Sequence, residues 1–175
     1  MTSRAGEVDP RLRGDRVRLR HLTESDVARV VEILTEPEVA RWWGRYDADR
    51  VRREHVEDPD SENFAIEVDG ALVGLLLVAE ENEPDYRHAA LDITLASDHQ
   101  NQGLGREALR VVIDHLARDR GHHRFTIDPD VVNERAIRCY AAVGFRPVGV
   151  MRRYGRASDG TWHDGLLMDL LADDL

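Results

Sequence analysis

The chain has 175 residues, and its 24 basic and 34 acidic side chains give a formal net charge of −10. A chain of this length predicts one globular domain with its own hydrophobic core. All of the basic residues are arginine, which excludes Schiff-base chemistry on a lysine and a Walker-type phosphate loop. The acidic balance argues against a nucleic-acid partner and favours a cationic small molecule.

The N-terminal residues and the single cysteine indicate where the protein works. Residues 1–7 contain no apolar stretch that could serve as a signal peptide. The longest apolar run, Ala71 to Ala79, is far shorter than the ~20 residues that span a membrane. Cys139 has no second cysteine with which to form an internal disulfide, as is typical of a reducing compartment. We therefore expect a cytoplasmic protein without a membrane partner.

The first third of the sequence predicts a leader, a strand and three helical stretches. Residues 1–13 have little apolar content, so we expect a flexible leader before one domain over residues 14–175. Strict alternation over residues 16–22 predicts a half-buried strand. An N-cap pattern at Thr23 predicts a helix, and Pro37 opens a second helix. A further helical stretch covers about residues 49–57.

The rest of the sequence alternates strands and helices. Asp69-Gly70 between two strand-like runs predicts a β-hairpin, because Gly tolerates a positive φ. The later periodic stretches predict a strand at 89–96, a helix ending near Gly121, a strand at 124–127, a helix at 133–142, and strands at 147–154 and 161–171. We therefore predict an α/β fold with one mixed, mostly antiparallel sheet of about seven strands flanked by about four helices.

The first segment with a chemical signal is Gln100-x-x-Gly103-x-Gly105, which follows a strand and opens a helix. Glycines let a ligand approach the backbone closely, and the free N–H groups at a helix start bind phosphate. The sequence does not contain the dinucleotide fingerprint G-x-G-x-x-G, so a pyrophosphate-bearing ligand other than NAD fits better. A strand-to-helix turn without a ligand would also explain these glycines.

The second segment runs from Asn133 to Phe145. Taken alone, its Asn133 is explained as a helix N-cap, its Gly144 as the residue that ends the helix, and its Tyr140 as part of the core. Cys139 is not expected to be a nucleophile, because no histidine lies at a helical spacing from it.

Together the two segments resemble the GNAT superfamily of acetyl-CoA-dependent N-acetyltransferases. The first is similar to the acyl-CoA loop of that superfamily, Gln/Arg-x-x-Gly-x-Gly/Ala, although Asn101 stands where Gly is common. The second is similar to its Asn-x-x-Ala-x-x-x-Tyr-x-x-x-Gly-Phe signature. The resemblance covers roughly residues 14–172. It implies the GNAT fold, acetyl-CoA as co-substrate, and direct attack of an amine on the thioester.

The resemblance also implies roles for individual residues. It places Asn133 at the pantetheine arm and Tyr140 near the CoA sulfur, so Tyr140 is the candidate acid for the departing thiolate. The residues that it implies for cofactor binding are Ile93, Leu95, Gln100, Gln102, Gly103, Leu104, Gly105, Arg106 and Asn133. No metal is expected, and relatives of this kind are monomers or homodimers.

Shorter motifs resemble the aminoglycoside 6′-N-acetyltransferase branch, namely Trp-Trp-Gly at 42–44, the fourth strand and an Asp-Pro pair at 128–129. This resemblance makes Asp92 the candidate general base and Asp128 a candidate ligand of a cationic substrate. Either acid is also explained as a carboxylate at a strand edge or in a turn.

Three further residues are candidates for the acceptor pocket. Aromatic faces attract cations, so Trp42 and Trp43 are candidate walls of that pocket, with core packing as the alternative explanation. Asp159, near the last hairpin, is a further candidate ligand for a polycation, although acids are common in such turns.

These features predict an enzyme that acetylates a primary amine of a cationic, aminoglycoside-like small molecule. A carboxylate suits that reaction, because it attracts the ammonium group and also accepts its proton. Residues 162–168 are also similar to relatives that acetylate protein N-termini, so a ribosomal-protein-type acetyltransferase is the alternative. A non-catalytic acyl-CoA-binding module is the alternative from another class.

Overall fold

The computed structural model describes residues 12–58, 61–157 and 159–175. Within these ranges, seven strands form one sheet in the order β1-β2-β3-β4-β5-β7-β6. The strands are β1 (Arg18–His21), β2 (Ser61–Val68), β3 (Ala71–Glu81), β4 (His88–Leu95), β5 (Arg124–Ile127), β6 (Arg146–Arg156) and β7 (Trp162–Leu171). The helices are α1 (Val27–Thr35), α2 (Pro37–Trp43), α3 (Ala48–Val51), α4 (Leu104–Arg118) and α5 (Glu134–Val143). The predicted α/β class with a mostly antiparallel sheet is confirmed.

The predicted leader falls largely outside the described residues, which begin at position 12. Leu12 itself is buried in the main core, and its carbonyl accepts a hydrogen bond from the Leu19 N–H at 2.8 Å. Packing of the chain against the domain therefore begins by Leu12, and the leader boundary stays a prediction.

The hairpin between β2 and β3 shows how local sequence sets local structure. Asp69 has φ 51° and Gly70 has φ 81°, so both turn residues adopt the left-handed conformation. Asp-Gly is suited to this pair of angles, and such a turn matches the twist of the flanking strands. The turn aligns β2 and β3 antiparallel, with a bulge between Ile66 and Glu67.

The sheet separates two cores. Neighbouring residues of β2 enter different cores, because side chains alternate between the faces of a strand. Phe64 and Ile66 pack in the core that includes residues of α4, whereas Ala65 packs in the core that includes residues of α1. All three are fully buried. At β2 the sheet is thus covered on both faces, so an entrance for a ligand lies elsewhere in the sheet.

That entrance lies where β4 and β5 separate. These two strands are parallel, and their ladder consists of the pairs Ala89 with Phe125 and Ala90 with Thr126. Both strands continue past the last pair, β4 to Leu95 and β5 to Ile127. The sheet therefore opens at this end, and residues 92–95 of β4 and Ile127 of β5 line the opening.

Two segments depart from the sequence-based expectation. The helical stretch predicted at 49–57 is α3 followed by a π-helical turn, Arg52–Val56, a rare geometry that is frequent near functional sites. Strand β6 extends to Arg156 because its pairing with β7 resumes at Gly155, after an irregularity that follows Met151. None of the helices in the described ranges is long and apolar enough to cross a bilayer.

Candidate active site

A cavity of about 580 Å³ occupies the opening between β4 and β5. Its lining comes from α2, β4, the start of α4, the segment after β5, and α5. Of the residues predicted from the sequence, the cavity is lined by Trp42, Trp43, Asp92, Ile93, Leu95, Gln100, Gly103, Gly105, Arg106, Asp128, Asn133 and Tyr140. The fold therefore brings both predicted segments and both predicted acids to one place.

Three predicted residues do not line this cavity. Leu104 is buried in the main core, and the side chain of Gln102 donates to the carbonyl of Asp98 at 2.7 Å. Asp159 is fully exposed, and its carboxylate accepts from the N–H and the hydroxyl of Thr161 at 2.8 and 2.6 Å. The structure thus gives Asp159 the local role of a turn-forming acid, and its role as a substrate ligand stays a prediction.

One side of the cavity is built to hold an anion. Gly103 has φ 81° and precedes α4, whose start has no side-chain cap, so the first N–H groups of this 15-residue helix stay available. A Cβ at Gly103 would lie 3.3 Å from the Arg16 Nη2 and 3.4 Å from the Arg106 Nη2. Two guanidinium groups therefore converge on a glycine backbone at a helix N-terminus, and this combination suits the diphosphate of coenzyme A.

Side chains of α5 fix the loop that leads to this site. The Arg135 guanidinium donates to the Gln100 amide oxygen, and the Gln100 amide nitrogen donates to the Leu95 carbonyl at 2.8 Å. Asn133 caps α5, since its side chain accepts from the Ala136 N–H at 3.2 Å. Asn133 also lines the cavity, so its role as a cap is compatible with contact to a ligand.

Two carboxylates meet at the opening. Asp92 in β4 and Asp128 directly after β5 each stand two positions beyond the last paired residues, Ala90 and Thr126, so they occupy equivalent register positions. The Asp92 carboxylate is open to the cavity but has protein on its other sides, and this desolvation, together with the charge of Asp128, raises its pKa to about 7. Desolvation also raises the pKa of Asp128.

Tyr140 supplies a phenol to the same cavity. Its residue surface is 7% exposed, and its ring packs edge-on against Phe145 with centroids 6.3 Å apart. Burial, and then the charges of Asp92, Cys139 and Asp128, raise the pKa of Tyr140 well above its ordinary value. The phenol therefore stays protonated and is chemically a proton donor.

Aromatic rings form the wall beside the acids. Trp42, Trp43 and Tyr46 line the cavity, and two of these rings already bind cations. The Arg41 guanidinium lies 4.5 Å from the Trp42 ring centroid, and the Arg50 guanidinium lies 3.9 Å from that of Tyr46. A wall of this kind attracts positive charge.

Sequence reasoning did not single out several residues at the site. Tyr46 and Arg135 line the cavity, and Tyr154 donates a hydrogen bond from its hydroxyl to the Asp128 Oδ2 at 2.5 Å. Tyr154 lies 26 residues from Asp128, and the residue alternation of β6 does not indicate this contact. Usable signals are Gly155 in β6 and Gly165 in β7, because a glycine inside a strand often marks a bulge or a close approach.

Comparison with known proteins identifies the family. A family model described as an acetyltransferase (GNAT) domain matches residues 16–146. Aminoglycoside N(6′)-acetyltransferase type 1 from Klebsiella pneumoniae is 30% identical over 157 residues, which cover 78% of this chain and 77% of that protein. The solved structure of AAC(6′)-Ib in complex with paromomycin and acetyl-CoA has a TM-score of 0.77 at 25% identity, covering 91% of this chain and 96% of that one.

A further solved structure shares the fold. The ribosomal-protein-S5-alanine acetyltransferase from Vibrio fischeri has a TM-score of 0.79 at 18% identity, covering 93% of this chain and 96% of that one. At this identity the likeness concerns the fold alone.

The chain belongs to the GNAT acetyltransferase family. It is an N-acetyltransferase that uses acetyl-CoA as co-substrate, and the uncapped start of α4 with its two guanidinium groups fits the anionic part of that molecule. The predicted fold, enzyme class and co-substrate are thereby confirmed.

Proposed function

We propose that this enzyme transfers an acetyl group from acetyl-CoA to a primary amine of a cationic, aminoglycoside-like small molecule. The observation that carries the proposal is the pair of carboxylates at equivalent register positions, one in β4 and the other directly after β5. Asp92 and Asp128 face one cavity, where desolvation raises the pKa of both carboxyl groups and the charge of Asp128 raises the pKa of Asp92 further. An ammonium group between them would relieve this repulsion, so the arrangement favours a positively charged acceptor.

Asp92 is the proposed general base. An amine of pKa ~8–10 is mostly protonated at pH 7, and its deprotonation costs about 1.4 kcal/mol per pK unit. A base whose pKa is about 7 combines a useful ionised fraction with a useful affinity for the proton at neutral pH. Asp92 accordingly accepts the amine proton, directly or through water, as the amine nitrogen bonds to the thioester carbonyl carbon.

Tyr140 is the proposed general acid. When the carbon–sulfur bond breaks, the electron pair leaves on sulfur, and Tyr140 donates its phenolic proton to that thiolate. Its burial beside the cavity keeps the proton in place until it is needed. Attack is direct, without an acyl-enzyme, so Cys139 has no covalent role.

The proposed acceptor has a biological consequence. The Klebsiella pneumoniae relative is named as an aminoglycoside acetyltransferase, and the aromatic wall with its adjacent acids suits a polycationic sugar. We infer that the enzyme acts in the cytoplasm and that its expression raises resistance to aminoglycosides.

One assay separates the proposal from its alternatives. Thiol release from acetyl-CoA is measured with kanamycin, spermidine, and peptides that begin with alanine, and product masses identify the acetylated amine. Turnover of kanamycin at least tenfold more efficient than that of the peptides supports the proposal, since an efficiency ratio measures differential transition-state binding. Preference for the peptides would favour a protein N-terminal acetyltransferase. Thermal protection by acetyl-CoA without turnover of any amine would favour a non-catalytic binding module.

A further inference from the structure

We propose that Tyr154 is a positioning residue for acceptor recognition, which holds the Asp128 carboxylate in one orientation and so leaves its Oδ1 for the substrate ammonium. This inference rests on the proposed function, because it assigns Asp128 to the acceptor side of the cavity. It adds a residue on the edge strand β6 to a site that otherwise belongs to β4, β5, α2, α4 and α5.

The contact exists because β6 is irregular at this point. Met151 of β6 pairs with Gly165 of β7, whereas Gly155 pairs with His163. Between these two pairs, β6 advances by four residues and β7 by two. The extra residues bulge out of the ladder, and Arg153 adopts φ 50°. Such a bulge changes the direction of the side chains beside it. Tyr154 is thereby directed towards Asp128, to which its hydroxyl donates at 2.5 Å.

Two residues of β7 hold this bulge in place. The Asp164 Oδ1 accepts from the Arg153 N–H at 2.7 Å, so a side chain replaces the backbone partner that the bulge removes. A Cβ at Gly165 would lie 2.9 Å from the Tyr154 Cδ1, which means that the ring occupies the space left by the missing side chain. The irregular backbone is therefore built around the tyrosine ring.

The same part of β7 also holds the segment that carries Asp128. The Leu166 N–H donates to the Pro129 carbonyl at 2.8 Å, and the Val131 N–H donates to the Asp164 carbonyl at 3.0 Å. Tyr154 and Asp128 are thus both fixed to residues 164–166. Although Tyr154 is 53% exposed, its ring packs against Gly165 and its hydroxyl is hydrogen-bonded to Asp128, so the side chain has a fixed orientation.

The charge state of the pair agrees with this role. The hydrogen bond from Tyr154 lowers the pKa of Asp128 against the larger raising effect of desolvation. The same bond, together with desolvation and the charges of Asp128 and Asp92, raises the pKa of Tyr154 to about 12. Tyr154 therefore remains a hydrogen-bond donor, and the Asp128 carboxyl group ionises more readily than it would without this hydrogen bond. Asp92 from β4 and Tyr140 from α5 are the other titratable groups coupled to Asp128.

Tyr154→Phe tests the proposal, because it removes the hydroxyl and keeps the ring in its seat. With kanamycin as acceptor, we expect the amine KM to rise about fivefold at pH 7 while the acetyl-CoA KM and kcat change less than twofold. Gly165→Ala, which displaces the ring, should act in the same direction.

Tyr86→Phe is the matched control, since Tyr86 is 75% exposed in the turn before β4 and remote from the cavity lining. It should leave all of these values unchanged. Wild-type kinetics in Tyr154→Phe would overturn the positioning role.

A second measurement keeps this role separate from the identity of the acceptor. The Asp128 carboxyl carbon is titrated by NMR in wild type and in Tyr154→Phe without any amine. A higher Asp128 pKa in the variant supports the positioning role even if no tested amine is acetylated, in which case only the proposed function fails. An unchanged Asp128 pKa refutes the positioning role whichever amine is turned over.

Discussion

At the end where β4 and β5 are paired, the Glu80 carboxylate accepts from Arg120 Nη2 and meets the ring of buried His122, both at 2.5 Å. At the other end, where the same strands separate, Asp92 and Asp128 face a cavity, and the charge of Asp128 raises the pKa of Asp92. Glu80 of β3 lies opposite Ala89 of β4, and Asp92 stands only three residues after Ala89, so the two environments are close together along β4.

This difference separates groups that stabilise the fold from groups that are suited to bind a ligand. A carboxylate with two donors recovers the hydration that it loses on burial, whereas two facing carboxylates do not. Clefts in which desolvation and a like charge act together are where functional acids are found. The comparison predicts that changes at the open end alter activity, and that changes at the paired end alter stability.

The largest expected effect is that of Asp92→Asn. The amide cannot accept the amine proton, so kcat should fall by ~100-fold or more, which is the usual contribution of a general base. The Kd for acetyl-CoA should stay within twofold. Thiol release and calorimetric titration measure the two values, with Asp85→Asn in the exposed turn before β4 as control. Normal turnover of Asp92→Asn would remove the assignment of the base.

The pH dependence of the wild-type enzyme sharpens the same point. Only ionised Asp92 accepts a proton, and its pKa is about 7, so kcat/KM for the amine should fall about tenfold per unit below pH 7 and level off above it. The residual activity of Asp92→Asn should not show this decrease of kcat/KM below pH 7. A wild-type profile that is flat between pH 5.5 and 7 would contradict the raised pKa.

Tyr140→Phe tests the second proton-transfer group at the open end. Loss of the phenol should reduce kcat by about tenfold, because the thiolate then leaves without a proton donor. The ring of Phe fills the same buried space, so the melting temperature should change by only a few degrees. An unchanged kcat would indicate that Tyr140 serves only to pack against Phe145.

Gly103→Ala alters the open end without touching either acid. A non-glycine residue at φ 81° costs ~1–2 kcal/mol, and the new Cβ would crowd the guanidinium groups of Arg16 and Arg106. We expect the acetyl-CoA KM to rise about fivefold with little change in the amine KM. Gly121→Ala is a matched control, because it imposes similar strain at φ 72° with nothing within 4 Å. Equal effects of both variants on the acetyl-CoA KM would argue against a cofactor role for Gly103.

The smallest effects concern stability, and here the two ends should differ in sign. Glu80→Gln weakens the contacts to Arg120 and His122, so it should lower the melting temperature by about 2–4 °C, equivalent to ~1 kcal/mol, without changing kcat.

The raised pKa of Asp92 means that its ionised form is penalised in the folded state, a penalty that is absent below pH 4 and complete above pH 7. Asp92→Asn should therefore raise the melting temperature at pH 8 and not at pH 4. Destabilisation by both variants at pH 8 would break the comparison.

Local sequence patterns predicted most of the elements. Strand β5 begins and ends where the alternation predicts, and the Asp69-Gly70 turn has the two positive φ angles that its residues favour. Periodicities of 2 and 3.6 residues are local properties, and so are helix caps and hairpin turns. The two motif segments also predicted which parts of the chain meet at the cavity.

The parts that were not predicted depend on long-range pairing. The equivalence of Asp92 and Asp128 follows from the parallel register of β4 and β5, which no local pattern encodes. The contact of Tyr154 follows from a bulge whose partner is Asp164, and neither residue is marked by the alternation of its strand. Both features arise only when distant strands align.

The short parallel ladder has a further consequence for how such an enzyme can change over generations. Two residue pairs join the half of the sheet with β1 to β4 to the half with β5 to β7. The first half presents Asp92, and the second carries Asp128, Tyr154 and the strands that support them. Under the proposed roles, substitutions in β6 and β7 would retune acceptor choice without altering the start of α4, which follows β4 in the chain and fits the anionic part of acetyl-CoA.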